Sequence, residues 1–316
     1  MTLHVVRDLL RTTDLPRGGI ATIGNFDGVH LGHRRILEKV VARAREADRP
    51  SLAITFEPHP LSVLRPDSAP RRLQTFRQKE EAIEVIGIDN LLVIPFTRDF
   101  SLTEPEEFVR SILRGRLAVS EIYLGTHFAF GRGKRGDIDL LKRMGPECGF
   151  VASSVDEVIV EGEPVSSTRI RNAVARGDVT GARAMLGREY EIDGLVAKGD
   201  KVGRKIGYPT INLEPENELH PADGVYVTQI HLRSFDRRFD CVTNIGRRPT
   251  VYEDYATVIE TFVLDFSSNV YGEKVRLFFF ERLREERRFP SVTALSDQIG
   301  RDIEATRKYF ERRRLG

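Results

Sequence analysis

Gly24, Gly28 and Gly32 punctuate the stretch Gly24-Asn25-Phe26-Asp27-Gly28-Val29-His30-Leu31-Gly32-His33, which contains two imidazoles three positions apart. Glycines at this density let the backbone bend tightly and approach a ligand closely. A helix opening here aims its N–H groups and positive dipole end at whatever lies over the loop, which suits phosphate. His30 and His33 fall on one side of the first helical turn, and Gly32 leaves room for a bulky ligand against the backbone. Two such rings donate hydrogen bonds to charge growing on phosphate oxygens. Other readings stay open. A strand–glycine loop–helix occurs in many folds, the histidines suit a solvated helix face, and zinc lacks a third ligand at a persuasive spacing.

A second stretch offers different chemistry. Gly199-Asp200-Lys201-Val202-Gly203-Arg204-Lys205-Ile206-Gly207-Tyr208-Pro209-Thr210-Ile211-Asn212 is a flexible basic loop with glycine at 199, 203 and 207. Backbone donors in such a loop wrap phosphates, which makes Gly203, Lys205 and Gly207 candidate nucleotide contacts. Pro209 fixes the direction of the chain. Thr210 and Asn212 alternate around Ile211, so on an extended segment they face one side. A hydroxyl and an amide oxygen side by side are hard ligands, suited to magnesium held against a nucleotide. The plain alternative is a barrel loop with turn glycines and a polar strand face.

The elements that must position these residues fall into two textures. IATIGNF (20–26) reads as a buried strand, and HLGHRRILEKVVARAREADR (30–49) as a helix through Ile36, Val40, Val41 and Ala44. LAITF (52–56), LLVIPF (91–96), EIYLG (121–125) and FVASS (150–154) read as further strands. Thr103 and Glu106 form a capping-box pattern ahead of Phe108, Val109, Ile112 and Leu113. Strands separated by such helices imply an α/β, Rossmann-like parallel sheet, with ligands beyond the carboxyl ends of its strands. After about residue 187, short β-rich runs alternate with Gly, Pro, Asn and Asp clusters, as in a small β-barrel. A charged helical pattern from Thr293 to Arg314 closes the chain. The boundary is expected at 186–188, giving domains 1–186 and 187–316.

Composition narrows the function class. The chain has 316 residues, 40% hydrophobic and 30% charged, a length that favours two domains. Lys and Arg total 49 against 47 for Asp and Glu, without the basic excess of a nucleic-acid binder. No apolar run approaches the ~20 residues of a membrane span, and charges interrupt the opening segment where a signal peptide is apolar. Cys148 and Cys241 are too few for a disulfide framework or a thiolate zinc site. The expectation is a cytoplasmic, soluble chain, a monomer or weak homo-oligomer, with small-molecule rather than nucleic-acid or membrane partners.

The first stretch resembles the nucleotidyltransferase superfamily with its His-x-Gly-His element, and its GNFDGVH context resembles bacterial FAD synthetases. Val165-Ser166-Ser167-Thr168-Arg169-Ile170-Arg171 has the form of that superfamily's second motif, hydroxyls at a helix start with an arginine one turn on. Thr55-Phe56-Glu57-Pro58-His59-Pro60 looks like its loop after the second strand, and Gly125-Thr126-His127-Phe128-Ala129-Phe130-Gly131 like its flavin-side loop. His127 stands where the family usually has Asp or Asn, and Pro164 where relatives often have a basic residue. GRKIGYPTIN resembles the riboflavin kinase signature, supported by Asp223–Tyr226, Asn244–Thr250, Ile259-Glu260-Thr261, Leu264–Phe266, Tyr271-Gly272 and Leu283-Arg284.

The resemblance implies a bifunctional enzyme of the bacterial type: an FMN adenylyltransferase domain at 1–186 and a riboflavin kinase domain at 187–316. It would convert riboflavin and ATP to FMN, then FMN and ATP to FAD and pyrophosphate, with magnesium. Gly24, Asn25, Phe26 and Asp27 would floor the nucleotide cradle, His30 and His33 would meet the phosphates, and Ser167, Thr168 and Arg171 would close over them. His127 and Phe128 would contact flavin in that half. In the kinase half, Glu260 would be the general base, Arg284 a flavin contact, and Thr210 and Asn212 the metal-side ligands. Two rival readings remain: a nucleotidyltransferase with another acceptor, and a flavin-binding module without catalysis.

Overall fold

A computed structural model describes residues 2–197, 207–249 and 255–315. Contacts divide the chain into two units: Met1–Arg71 with Phe76–Ser166, and Arg72–Thr75 with Ser167–Gly316.

The first unit runs β1 (His4–Val6), β2 (Ile20–Ile23), α1 (Leu31–Glu46), β3 (Ser51–Glu57), α2 (Pro60–Leu64), α3 (Phe76–Ile86), β4 (Asn90–Pro95), α4 (Pro105–Phe108), β5 (Glu121–Gly125), α5 (Ile138–Cys148) and β6 (Val151–Val155), then a hairpin of β7 (Ile159–Val160) and β8 (Glu163–Pro164). Its main sheet has the order β1-β4-β3-β2-β5-β6, and every neighbouring pair is parallel. Both faces are covered. Ala21, Leu52, Ile54 and Leu92 pack with Ile112, Leu113 and Leu141, whereas Ile20, Ala53, Leu91 and Val93 pack with Leu37, Val40, Val41 and Ile83. Strands buried on both faces must read as continuous apolar runs rather than alternating ones, which is why LAITF and LLVIPF stand out.

The capping box expected at Thr103 and Glu106 does not form. Glu104 is the N-cap, with no side-chain capping bond, and Pro105 takes the first helical position. Proline there is preset in φ and lacks the N–H that a cap would satisfy, so it displaces the start of the helix. α4 then widens into a π-helical stretch, Val109–Arg116.

The second unit opens with α6 (Ser167–Ala175) and α7 (Val179–Leu186), followed by β9 (Tyr190–Ala197), β10 (Ile211–Pro215), β11 (Gly224–Leu232), β12 (Arg237–Pro249), β13 (Tyr255–Val263), β14 (Lys274–Arg284) and α8 (Val292–Leu315). The six strands close into a barrel of order β10-β13-β12-β11-β14-β9, with β9 pairing back onto β10. Contacts group α6 and α7 with the barrel: Thr180 Oγ1 donates to the Phe280 carbonyl at 3.4 Å, and Arg282 donates to the carbonyls of Arg176 and Asp223. The change of sequence texture falls later, at Gly187, the left-handed C-cap of α7.

Within the barrel, Tyr226 is fully buried and donates to the Ala222 carbonyl. Burial pushes its phenol up to about 12. The native state therefore keeps this proton to higher pH than the unfolded chain, whose tyrosines ionise near ~10. The resulting stability is complete below that value and is lost as pH rises toward 12. Urea unfolding should show a loss on the order of 2 kcal/mol across that interval, and Tyr226→Phe should flatten it; an unchanged pH profile in the variant would contradict this role for Tyr226.

Candidate active sites

In the first unit the chain leaves β2, builds outward through β3 and β4, and returns on the other side of β2 to β5 and β6. The loops after β2 and β5 therefore meet at the carboxyl edge where strand order reverses, the usual ligand crevice of such sheets. The β2 loop is held by its own apolar residues. Phe26 and Val29 are 1% and 3% exposed and join the core beneath α1. Both have positive φ, 47° and 38°, and Gly28 lies at 88°. Two non-glycine residues in left-handed backbone so close together represent stored strain, the kind that persists only where packing over-determines it.

His30 is the N-cap of α1, and its Nδ1 accepts from the His33 backbone N–H at 3.3 Å. An accepting Nδ1 leaves Nε2 as the donor in the neutral ring. The His30 and His33 rings stack at 3.7 Å with an interplanar angle of 18°, and His33 meets Phe26 edge-on at 5.4 Å. Gly32 lies against this stack. A Cβ there would stand 3.2 Å from the His30 ring, so this glycine makes room for the neighbouring imidazole. Gly24 likewise serves Phe26, whose ring a Cβ would approach to 2.8 Å. Asn25 accepts at its carbonyl from Thr55 Oγ1 at 3.4 Å, and Asp27 is 4% exposed.

At the end of β5, Phe128 packs against the core. His127 projects outward and lies 3.3 Å from the Glu157 carboxylate. Ser167 begins α6, with Thr168 and Arg171 in its first turns; these three belong to the second unit.

The barrel has its own constellation. Odd-numbered residues of β12 and β13 point inward: Thr243, Ile245, Ile259 and Thr261 are all buried. Their even-numbered neighbours point outward. Register then aligns one row across five strands: Asn212 faces Glu260, Glu260 faces Asn244, Asn244 faces Val225, and Val225 faces Arg284. At about 4.8 Å per strand the row extends ~19 Å. Beneath it runs a buried hydroxyl ladder, Thr228–Thr243 at 2.7 Å and Thr243–Thr261 at 3.0 Å. Beside Asn212 opens a cavity of about 480 Å³, lined by Thr210, Asn212, Val263, Phe266 and Tyr271 among others. Gly207 precedes it at φ 88°; Gly203 and Lys205 lie outside the described residues.

Comparison with known proteins agrees with both halves. The FAD synthetase family model matches residues 12–169, and the riboflavin kinase model matches residues 186–310. A bifunctional riboflavin kinase/FMN adenylyltransferase of Pseudomonas fluorescens is 38% identical over 96% of this chain and 97% of its own. The Escherichia coli K12 protein of the same description is 34% identical over 98% of each. The chain belongs to the bifunctional riboflavin kinase/FMN adenylyltransferase family. A solved structure described as a macrolide-efflux protein from Streptococcus pneumoniae shares the fold at a TM-score of 0.87 and 27% identity, covering 97% of this chain and 99% of that one. No helix among the described residues is long and apolar enough to cross a membrane.

For this family member, sequence reasoning named Asn212, Glu260 and Arg284 separately, and register joins them. It assigned no role to Asn244, which sits directly across from Glu260 and donates to Glu286 at 3.5 Å. A Cβ at Gly246, two residues on, would stand 2.4 Å from Glu286; neither that proximity nor the pairing with Glu260 is readable without the structure. The hydroxyl ladder was equally invisible. Thr243→Val removes the shared rung, costing the buried Thr261 hydroxyl its Thr243 partner while Thr228 keeps the Cys241 carbonyl, so urea unfolding should show a loss of about 1–3 kcal/mol.

Proposed function

We propose that the barrel half phosphorylates riboflavin to FMN and that the α/β half adenylylates FMN to FAD, each step consuming one ATP. The kinase half is assigned to 187–316 and the adenylyltransferase half to 1–186. The observation that carries the reading is the register pairing of Glu260 with Asn212, which sets a carboxylate beside the nucleotide-side amide and the Thr210 cavity.

In the kinase reaction, Glu260 accepts the proton of the ribityl 5′-hydroxyl as that oxygen bonds the γ-phosphorus and ADP leaves. Phosphoryl transfer asks the protein chiefly for position and charge neutralisation, and Asn212, Glu260 and Asn244, aligned by register on a rigid barrel, supply position. Among the described residues no group of three or more His, Cys, Asp or Glu side chains is placed to hold a metal. Magnesium would be held between the nucleotide phosphates and the hard oxygens of Thr210 and Asn212, which suits its habit of taking few protein ligands. Bound there, it neutralises charge on the phosphates.

In the adenylyl transfer, an FMN phosphate oxygen attacks the α-phosphorus of ATP and pyrophosphate leaves. His30 Nε2, the donor left by the Nδ1 bond to His33 N–H, serves the phosphate oxygens, with His33 stacked against it. Gly24 to Asp27 form the floor, and His127 with Phe128 serves the flavin side. The reading assigns the protein to the cytoplasm, where ATP is available for both steps.

Incubation with riboflavin, ATP and magnesium, followed by chromatography, should yield FMN and then FAD. A flavin-binding module would convert nothing, and a transferase with another acceptor would make no FMN from riboflavin. Glu260→Ala should abolish FMN formation while FMN-to-FAD conversion survives; loss of both would contradict separate sites. His30→Ala combined with His33→Ala should lower FAD formation by about 10²–10³-fold or more and spare FMN formation. Undiminished FAD synthesis in that variant would remove the two histidines from the site.

A further inference from the structure

The cross-strand row ends at Arg284, where β14 stops and α8 lies alongside. Asp302 of α8 grips the Arg284 guanidinium in a fork: Nε lies 3.1 Å and Nη2 2.8 Å from Oδ2, and Nε also lies 3.2 Å from Oδ1. Asp302 is 5% exposed. Gln298, one turn earlier, donates its Nε2 to Asp302 Oδ1 at 2.8 Å. The Gln298 Oε1 in turn accepts from Arg287 at 2.5 Å and from Arg301 at 3.0 Å. Donors and acceptors are matched along the whole network, so each member is fixed in one orientation.

Stability alone does not explain this arrangement. Val225, Val242 and Leu264 pack with Ile303 next to it, and an apolar pair in the same place would serve folding as well or better, because buried ion pairs seldom exceed their desolvation cost. What the network supplies is direction. Arg284 has five N–H groups. Asp302 takes those of Nε and one of Nη2, and the Glu285 carbonyl takes one of Nη1 at 3.1 Å. Two remain, on a guanidinium whose plane is set from behind. Phe289 lies 5.6 Å away, its ring facing the same cation.

Three strand spacings separate Arg284 from Glu260 along the row, about 14 Å. A riboflavin with its 5′-hydroxyl at Glu260 reaches that far only with its ring system, and the part of the ring that accepts hydrogen bonds is its carbonyl edge. We propose that Asp302 is a positioning residue for the flavin of the kinase reaction. It holds Arg284 so that the two remaining N–H groups meet the ring carbonyl oxygens, and Gln298 braces Asp302. This rests on the kinase reading above and names the substrate-orienting device of that same site.

Full-length protein carrying Asp302→Asn, an isosteric change, tests it by steady-state kinetics. The KM for riboflavin should rise at least about tenfold, while KM for ATP and kcat stay within about twofold and FMN-to-FAD conversion is unaltered. Arg284→Ala should raise the same constant, and the double variant should add nothing further, as expected for residues acting as one unit. A purely structural pair would instead lower kcat and both affinities together, or only the melting temperature. Should Asp302→Asn not fold, Gln298→Leu keeps the ion pair and removes its brace, and a smaller rise in the same KM is expected. An unchanged KM for riboflavin in whichever variant folds, or an equal rise for ATP, overturns the proposal while wild-type kinase activity keeps the broader reading intact. Absence of FMN formation by the wild-type protein overturns both.

Discussion

Strand register in a closed barrel is the constraint on which the second half of this molecule depends. Side chains alternate with a period of two, so a slip of one residue moves every group on a strand to the opposite face. Thr243 and Thr261 lock β12 to β13 from the inside through a direct hydroxyl contact, and that same pairing fixes Asn244 opposite Glu260 outside. The buried ladder and the outer polar row are two consequences of a single register. Closure of β9 onto β10 leaves no free edge along which the row could drift, and α8 covers the adjoining apolar patch through Ile303 and Phe310.

The α/β unit solves its positioning problem differently. No barrel register is available, so the loop after β2 is pinned by burying Phe26 and Val29 in left-handed backbone. The anchoring side chains point down into the core while the backbone between them and the cap of α1 face the crevice. His30 then does two things at once: it caps the helix through Nδ1, and that bond decides which ring nitrogen carries the proton in the neutral ring. The stack with His33 and the bare α-carbon of Gly32 complete a geometry in which sterics, capping and tautomer agree. Both units thus place polar groups by means of apolar or hydroxyl packing directly beneath them.

The architecture was largely legible from the residues. Doubly buried strands announced themselves as apolar runs, and β9 and β11 to β14 as short segments between turn residues. The capping box at Thr103 misled because Pro105 claimed the first helical position, a local steric effect that outranks a side-chain hydrogen bond. β1 and the hairpin of β7 and β8, two or three residues per strand, carry too little pattern to be read at all. Gly32 was read as leaving room for a ligand; the structure shows that its bare α-carbon also lies against the His30 ring.

Sequence alone determined the residue types and their local spacing: two imidazoles behind a glycine loop, a Pro-Thr-x-Asn element, and an isolated Glu260 within a β-rich run. These are short-range properties, set by covalent geometry and periodicities of two and 3.6. Only tertiary structure decided that Asn212, Glu260, Asn244 and Arg284 form one line, and that Asp302, distant from all but Arg284 in the chain, grips its end. Contacts between strands far apart in sequence depend on register and closure, and neither is written in any local window.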